Sequence, residues 1–139
     1  QGGVVLAHSQ VRDHLVNTAR PFIYDTGLAP AAAGAALGAL DVLADHPELL
    51  DRLRHNAAEL ATACGVTAPG GAVMSVPMTS PAAALAAVDE ARAHGIRIGC
   101  FRPPSTPDGS SRLRITAHAD HTTDQIACAA TVLKELVHP

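Results

Sequence analysis

The alternation of apolar and polar positions divides the chain into short elements of two periods. Val4-Val5-Leu6-Ala7, a continuous apolar run after Gly2-Gly3, has the pattern of a turn feeding a buried strand. Over residues 9–19 apolar positions recur at helical spacing, with Val11, Leu15, Val16 and Ala19 on one stripe and Ser9 as the capping residue. The stretch "RPFIYDTGLAP" then breaks the regularity with two prolines and a glycine. A helix is predicted over 30–45, with Pro30 in its first turn. Its segment "AAAGAALGAL" is small almost everywhere, so a second helix or subunit can approach closely. Pro47 opens the next helix, over 47–64, and Gly65 is its C-cap.

The rhythm changes after that point. Residues 72–78 alternate as a strand does, a helix starting at Ser80-Pro81 ends at His94-Gly95, and 96–101 read as a second strand. After a loop rich in proline and serine, "RLRITAH" is a third strand. Thr122 or Thr123 caps a last helix that runs to about residue 137, with Asp124 near its positive end. Helices and strands joined by short links predict an α/β or α+β layer, in which helices cover one face of a small sheet.

Composition narrows the function classes. The 139 residues are 47% hydrophobic, enough for one domain with a core, and the net charge of −3 offers no basic surface for nucleic acid. Phe22, Tyr24 and Phe101 are the only aromatic residues, too few for the stacking platforms of single-strand binders. Cys64, Cys100 and Cys128 lack metal-ligand spacing and fit a reducing compartment, and no apolar run is long enough to cross a bilayer. A soluble, cytoplasmic chain is expected. The sequence opens without a methionine, on a turn leading into a strand, so polypeptide before Gln1 is also expected. Lys134 is the only lysine.

The candidate chemistry gathers in "FRPPSTPDGSSRLRIT", residues 101–116. Strand alternation puts Leu113, Ile115 and Ala117 on the buried face and Arg112, Arg114, Thr116 and His118 on the other. Two readings of that second face stand. It is a solvated surface, or it is a clamp in which Arg114 and Arg102 reach one small anion from two sides. Guanidinium forks suit carboxylate or phosphate, Ser105 and Thr106 would add hydroxyls, and the prolines would keep the loop stiff. Other features are weaker. His118 and His121 lack a convincing third metal ligand, Asp25-Thr26-Gly27 reads as a plain turn before it reads as a phosphate contact, and Cys100 has no adjacent base.

Two segments carry a family resemblance. "RPFIYDTGLAP" resembles R-P-F-I-[FY]-x-T-x-L-P-P, and "GCFRPPSTPDGSSRLRITAHADHT" is similar to R-P-P-T-V-P-x-G-x-x-R-L-R-[LI]-T-x-x-A-x-H-T. Both patterns belong to the pyridoxal-phosphate-dependent α-oxoamine synthases, and the likeness covers essentially the whole chain. The R-P-P-[ST] form looks most like the biotin-pathway member, which condenses L-alanine with pimeloyl-CoA or pimeloyl carrier protein; a sister activity on glycine and acetyl-CoA is the alternative, and a non-catalytic carboxylate-binding or dimerisation fragment is another. The resemblance implies a homodimer of the fold-type I aminotransferase kind, with pyridoxal 5'-phosphate as cofactor. Residues 1–29 would end the large cofactor domain, and 30–139 would form a connecting helix and the small C-terminal domain.

Residue by residue, the resemblance implies that Arg114 holds the amino-acid carboxylate and that Arg102 serves around the same group. Ser105 takes the position of a substrate-contacting threonine, keeping the hydroxyl and losing a methyl. Thr26 would reach the cofactor phosphate of the opposite subunit. The family's Schiff-base lysine would lie upstream of Gln1, so no catalytic residue is expected in these residues and the chain alone is expected to be inactive. Gly27 and Ala29 are milder departures from the pattern.

Overall fold

The computed structural model describes residues 4–137. The chain divides into two compact units, Gln1–His46 and Pro47–Pro139.

The first unit is helical. It holds α1 (Ser9–Thr18), the single-turn α2 (Arg20–Tyr24) and α3 (Pro30–Asp45). Helix α1 begins at Ser9 but is capped by His8, whose carbonyl accepts the amides of Val11 and Arg12, so Ser9 is not the cap. The segment read as irregular from its prolines contains α2, which accommodates Pro21 in its first turn, where the missing amide has no helical partner to lose. Helix α3 has the predicted bounds, with Pro30 in the first turn. Residues 4–7 do not form the predicted strand. They are irregular, with Val4 80% and Leu6 92% exposed. A strand needs a neighbour for its backbone amides and carbonyls, and no strand among the described residues pairs with this one. Gly2 and Gly3, read as a turn, lie outside the described residues.

The second unit contains α4 (Glu48–Ala63), β1 (Val73–Met78), α5 (Pro81–Ala93), β2 (Gly99–Phe101), β3 (Ser111–Thr116) and α6 (Thr123–Val137). The sheet order is β1-β3-β2, and β3 is antiparallel to both neighbours. Strands β1 and β2 therefore run parallel, joined through α5, and β3 fills the slot between them. This is a split β-α-β arrangement. Pro77 is tolerated because β1 is an edge strand. The expected α+β layer is thus present, with α4, α5 and α6 on one face of the sheet.

Register sorts the side chains. Met74 faces Ile115, and both Val76 and Cys100 lie beside Leu113, all on the helix-covered side. Ala57, Leu60, Ala61 and Cys64 of the α4 stripe meet Ala84 and Ala87 of α5 and Ile126 and Leu133 of α6 around these strand residues. Helix α6 packs against both α4 and α5. Burial pushes the Cys64 thiol up to about 11, which keeps it protonated and unreactive.

Local signals terminate the elements. Gly65, at φ 65°, ends α4 in the left-handed region, and the Val66 amide reaches back to the Ala61 carbonyl at 3.0 Å. The Ser80 hydroxyl accepts the Ala83 amide at 3.0 Å and starts α5. Thr122 is the cap of α6. Its hydroxyl accepts the Gln125 amide at 3.2 Å, while the Gln125 side-chain oxygen accepts the Thr122 amide at 2.9 Å, a reciprocal capping box. The second strand is shorter than the predicted 96–101. The Ile96 amide is already bonded to the Ala91 carbonyl at 2.8 Å as part of the α5 terminus, so the ladder starts only at Gly99. One buried polar tie completes the unit: the Asn56 amide donates to the carbonyls of His118 at 2.9 Å and His121 at 3.4 Å, linking α4 to the turn before α6.

Leu113 has 0% exposure and sits on the central strand under all three helices. Leu113→Ala is expected to lower unfolding free energy by about 2–5 kcal/mol in urea denaturation. A loss below about 1 kcal/mol would mean that the helix layer does not close over β3.

Candidate functional site

The face of the sheet opposite the helices is open among the described residues. It carries Val73, Ser75 and Pro77 from β1, Arg112, Arg114 and Thr116 from β3, and Gly99 and Phe101 from β2. Alternation is as expected: Leu113, Ile115 and Ala117 are buried, and Arg114, Thr116 and His118 are exposed. Arg114 stands at the centre, with Ser75 beside it on one neighbour and Gly99 on the other. Gly99 keeps that side low, since a Cβ there would already lie 4.0 Å from the Arg114 Cβ. The Arg114 guanidinium carbon is 6.0 Å from the centroid of the Phe101 ring, at the outer limit of a cation–π contact. No hydrogen bond or ion pair engages Arg114 among the described residues. Its donors are available to a ligand.

Arg112, two residues earlier on the same face, is held by two bonds. Its Nε donates to the Ser110 hydroxyl at 2.8 Å, and its Nη2 donates to Asp108 Oδ2. Asp108 Oδ1 in turn accepts the Ser110 amide at 3.2 Å and the Ser110 hydroxyl at 2.7 Å. Gly109 makes the tight bend possible with φ 70°. The staple fastens the loop tip to the strand.

The entrance of the loop is a second turn. The Ser105 amide donates to the Arg102 carbonyl at 2.9 Å across Pro103-Pro104, whose peptide bond is cis. Arg102 and Ser105 are exposed, and their side chains have no polar partner among the described residues. Phe101 is level with Arg112, so Arg102 lies three residues along the sheet from Arg114, a separation of about 10 Å between backbones. The loop does fold back, and Arg102, Ser105 and Arg114 belong to one unit, but no direct contact joins the two arginines. Thr106 departs from expectation. It is 8% exposed, and its hydroxyl is buried with no partner, so it adds nothing to the open face. It stands where the motif has valine, and the interior receives it as one.

Thr26 lies in the first unit, exposed, in the irregular stretch between α2 and α3, and also lacks a polar partner. His118 and His121 have ring centroids 5.1 Å apart. Among the described residues no group of three or more His, Cys, Asp or Glu is placed to hold a metal ion. Both histidines line a groove of about 680 Å³ beside α6 that also includes Arg97 and Cys128. Among the described residues no helix is long and apolar enough to cross a membrane.

Sequence reasoning passed over Asp108, Ser110 and Phe101. The signal for the first two was present: an acid four residues before an arginine, with a hydroxyl between them and a glycine to bend the chain.

The family model for aminotransferase class I and II matches residues 1–133. The chain belongs to the aminotransferase class I and II family. Within it, the chain is 52% identical over 140 residues to an 8-amino-7-oxononanoate synthase of Mycolicibacterium vanbaalenii, covering 100% of this chain and 37% of that protein. It is 54% identical over 138 residues to the synthase of the same name from Mycobacterium sp. strain JLS, covering 99% of this chain and 36% of the relative. The crystal structure of 8-amino-7-oxononanoate synthase from Francisella tularensis superposes with a TM-score of 0.68 at 25% identity, over 92% of this chain and 39% of that one. The chain thus spans little more than a third of the length of these aminotransferase-family relatives.

Asp108 carries a signature that titration can read. The Ser110 hydroxyl, then Arg112 and the Ser110 amide, hold its carboxyl down to about 2 from an ordinary 3.8. A depressed carboxylate supports the folded loop at all pH values above its ordinary range and releases it as pH falls through the lowered value. The Arg112 Nε resonance is expected to stay fixed down to about pH 4 and to move with a midpoint near 2; a midpoint near the ordinary value would mean an open loop. Thr106→Val, which removes the unpartnered hydroxyl, is expected to raise stability by about 1 kcal/mol in thermal or urea unfolding, and a comparable loss would mean that the hydroxyl has a partner after all.

Proposed function

We propose that these residues are part of an 8-amino-7-oxononanoate synthase, an enzyme of biotin biosynthesis that condenses L-alanine with pimeloyl-CoA or pimeloyl carrier protein and releases CO2 and the free thiol. The names of the relatives and the motif match support the activity. The observation that carries the role of this chain is the unpaired Arg114 guanidinium at the centre of the open sheet face.

In this reading Arg114 binds the alanine carboxylate through its fork of donors. Fixing that carboxylate orients the bonds at Cα, the positional control on which selective bond cleavage depends. Arg102 and the Ser105 hydroxyl approach the same group from the loop. The Phe101 ring and Gly99 keep the surroundings of Arg114 apolar and open, which strengthens a charge-assisted bond once water is displaced.

Pyridoxal 5'-phosphate is the cofactor of the proposal, and when bound it supplies an electron sink for charge developing at Cα. The residues present fit it at one point only. Thr26 has an exposed, unpartnered hydroxyl suited to a phosphate, and the proposal assigns it to the cofactor phosphate of the partner subunit in a homodimer. Lys134 does not fit the covalent role. It is exposed in the last turn of α6, and α6 packs on the helix-covered side of the sheet, away from the face that carries Arg114. The proposal therefore puts the cofactor lysine before Gln1. It also takes residues 1–29 as the end of the large domain and 30–139 as connecting helix and small domain, in a cytoplasmic enzyme.

In the full-length protein, Arg114→Ala is expected to reduce kcat/KM for L-alanine by about 10–100-fold, the loss of a charge-assisted bidentate contact. The cofactor absorbance should remain. Unchanged alanine kinetics would remove Arg114 from the site, and a preference for glycine with acetyl-CoA over L-alanine with pimeloyl-CoA would replace the proposed activity by glycine C-acetyltransferase.

A further inference from the structure

The open face carries two strand guanidiniums on one side of β3, and only one of them is free. Residues two apart on a strand lie about 6.5 Å apart, the span over which a short dicarboxylate presents its two ends. Arg112 and Arg114 would form a matched pair for such a molecule if both were available. Arg112 is already paired and held toward the loop: Nε is held by the Ser110 hydroxyl and Nη2 by Asp108 Oδ2. The Asp108 carboxylate also neutralises its charge and is itself fixed by the Ser110 amide and hydroxyl.

We propose that Asp108, with Ser110, is a specificity-determining residue: by sequestering Arg112 it leaves Arg114 as the lone strand guanidinium and selects amino acids with one carboxylate over those with two. The selection is negative in kind, because a second carboxylate meets an arginine whose charge is already paired with Asp108, and meets that acid beside it. This inference rests on the carboxylate role of Arg114 proposed above. Asp108 acts through Arg112 and is a positioning residue, since it touches neither substrate nor cofactor in this account.

The test compares competitive inhibition of the full-length enzyme, varied against L-alanine, by propionate and by glutarate. Asp108→Ala is expected to tighten glutarate binding on the order of tenfold, the effect of one recovered charge-assisted contact, and to change propionate binding less than about twofold. The double variant Asp108→Ala/Arg112→Ala is expected to lose the gain. Asp108→Asn, a milder change for use if the alanine variant does not fold, should give a smaller gain in the same direction. A glutarate-to-propionate ratio unchanged in the variant that folds would overturn the proposal, as would a gain that persists without Arg112, which would assign the effect to Asp108 repulsion alone. A purely structural role for Asp108 would weaken both inhibitors together and leave the ratio where it was. If Arg114→Ala leaves propionate inhibition intact, the carboxylate reading itself falls and this inference with it; if Arg114→Ala abolishes it while the ratio stays fixed, only this inference falls.

Discussion

Strand β3 is paired on both edges and covered by helices on one face, so its side chains have two environments and no third. Leu113 and Ile115 enter the core, and Arg112 and Arg114 face away from it. A slip of one residue would exchange these sets. It would bury two guanidiniums among Met74, Val76 and the helix alanines, at a cost of several kcal/mol for each unpaired ion, and expose two of the larger core side chains. The same packing that stabilises the unit therefore aims the arginines. Position and stability at this site are one constraint seen from two faces of the sheet.

What distinguishes the arginines from one another is their neighbours. Arg112 falls opposite Phe101 at the end of the β2 pairing, next to the loop, and finds an acid and a hydroxyl within reach. Arg114 falls opposite Gly99 and Ser75, where none of the described residues accepts a hydrogen bond from it. The loop is held at both ends, by the Arg102–Ser105 turn and by the Asp108–Ser110–Arg112 staple. Fixing it before a ligand arrives reduces the conformational entropy that binding must remove. An exposed ion pair of this kind contributes little to global stability, and its effect lies in local order.

Much of this was legible in the residues. The bounds of α3 and the core of β3 follow from periodicity, and Thr122 with Gln125 is a capping box that sequence spacing announces. These signals are local, and local propensity agrees with the tertiary result. The failures have non-local causes. The apolar run at 4–7 has the composition of a strand, but a strand is defined by its partner, and none of the described residues pairs with it. The β2 boundary moved because the amide of Ile96 was taken by the end of α5. Thr106 reads as a ligand hydroxyl in a polar loop, yet loop composition does not reveal which side chain turns inward. Asp108 was passed over because its tie to Arg112 depends on the bend at Gly109, which brings the acid back over the strand.

The residue types in the staple and on the face also explain why arginine, and not lysine, occupies both strand positions. Arg112 makes two bonds in different directions, from Nε to a hydroxyl and from Nη2 to a carboxylate. A lysine ammonium is a single point at the end of a flexible stem and would have to satisfy Ser110 and Asp108 from one atom. At position 114 the situation is the reverse: none of the described residues is a hydrogen-bond or ion-pair partner, and in the proposed function the planar fork takes a carboxylate. A guanidinium is less strongly hydrated than an ammonium, so leaving it unpaired beside Phe101 and Gly99 costs less. The same side chain thus serves as a brace where partners converge on it and, in the proposed function, as a receptor where they are withheld.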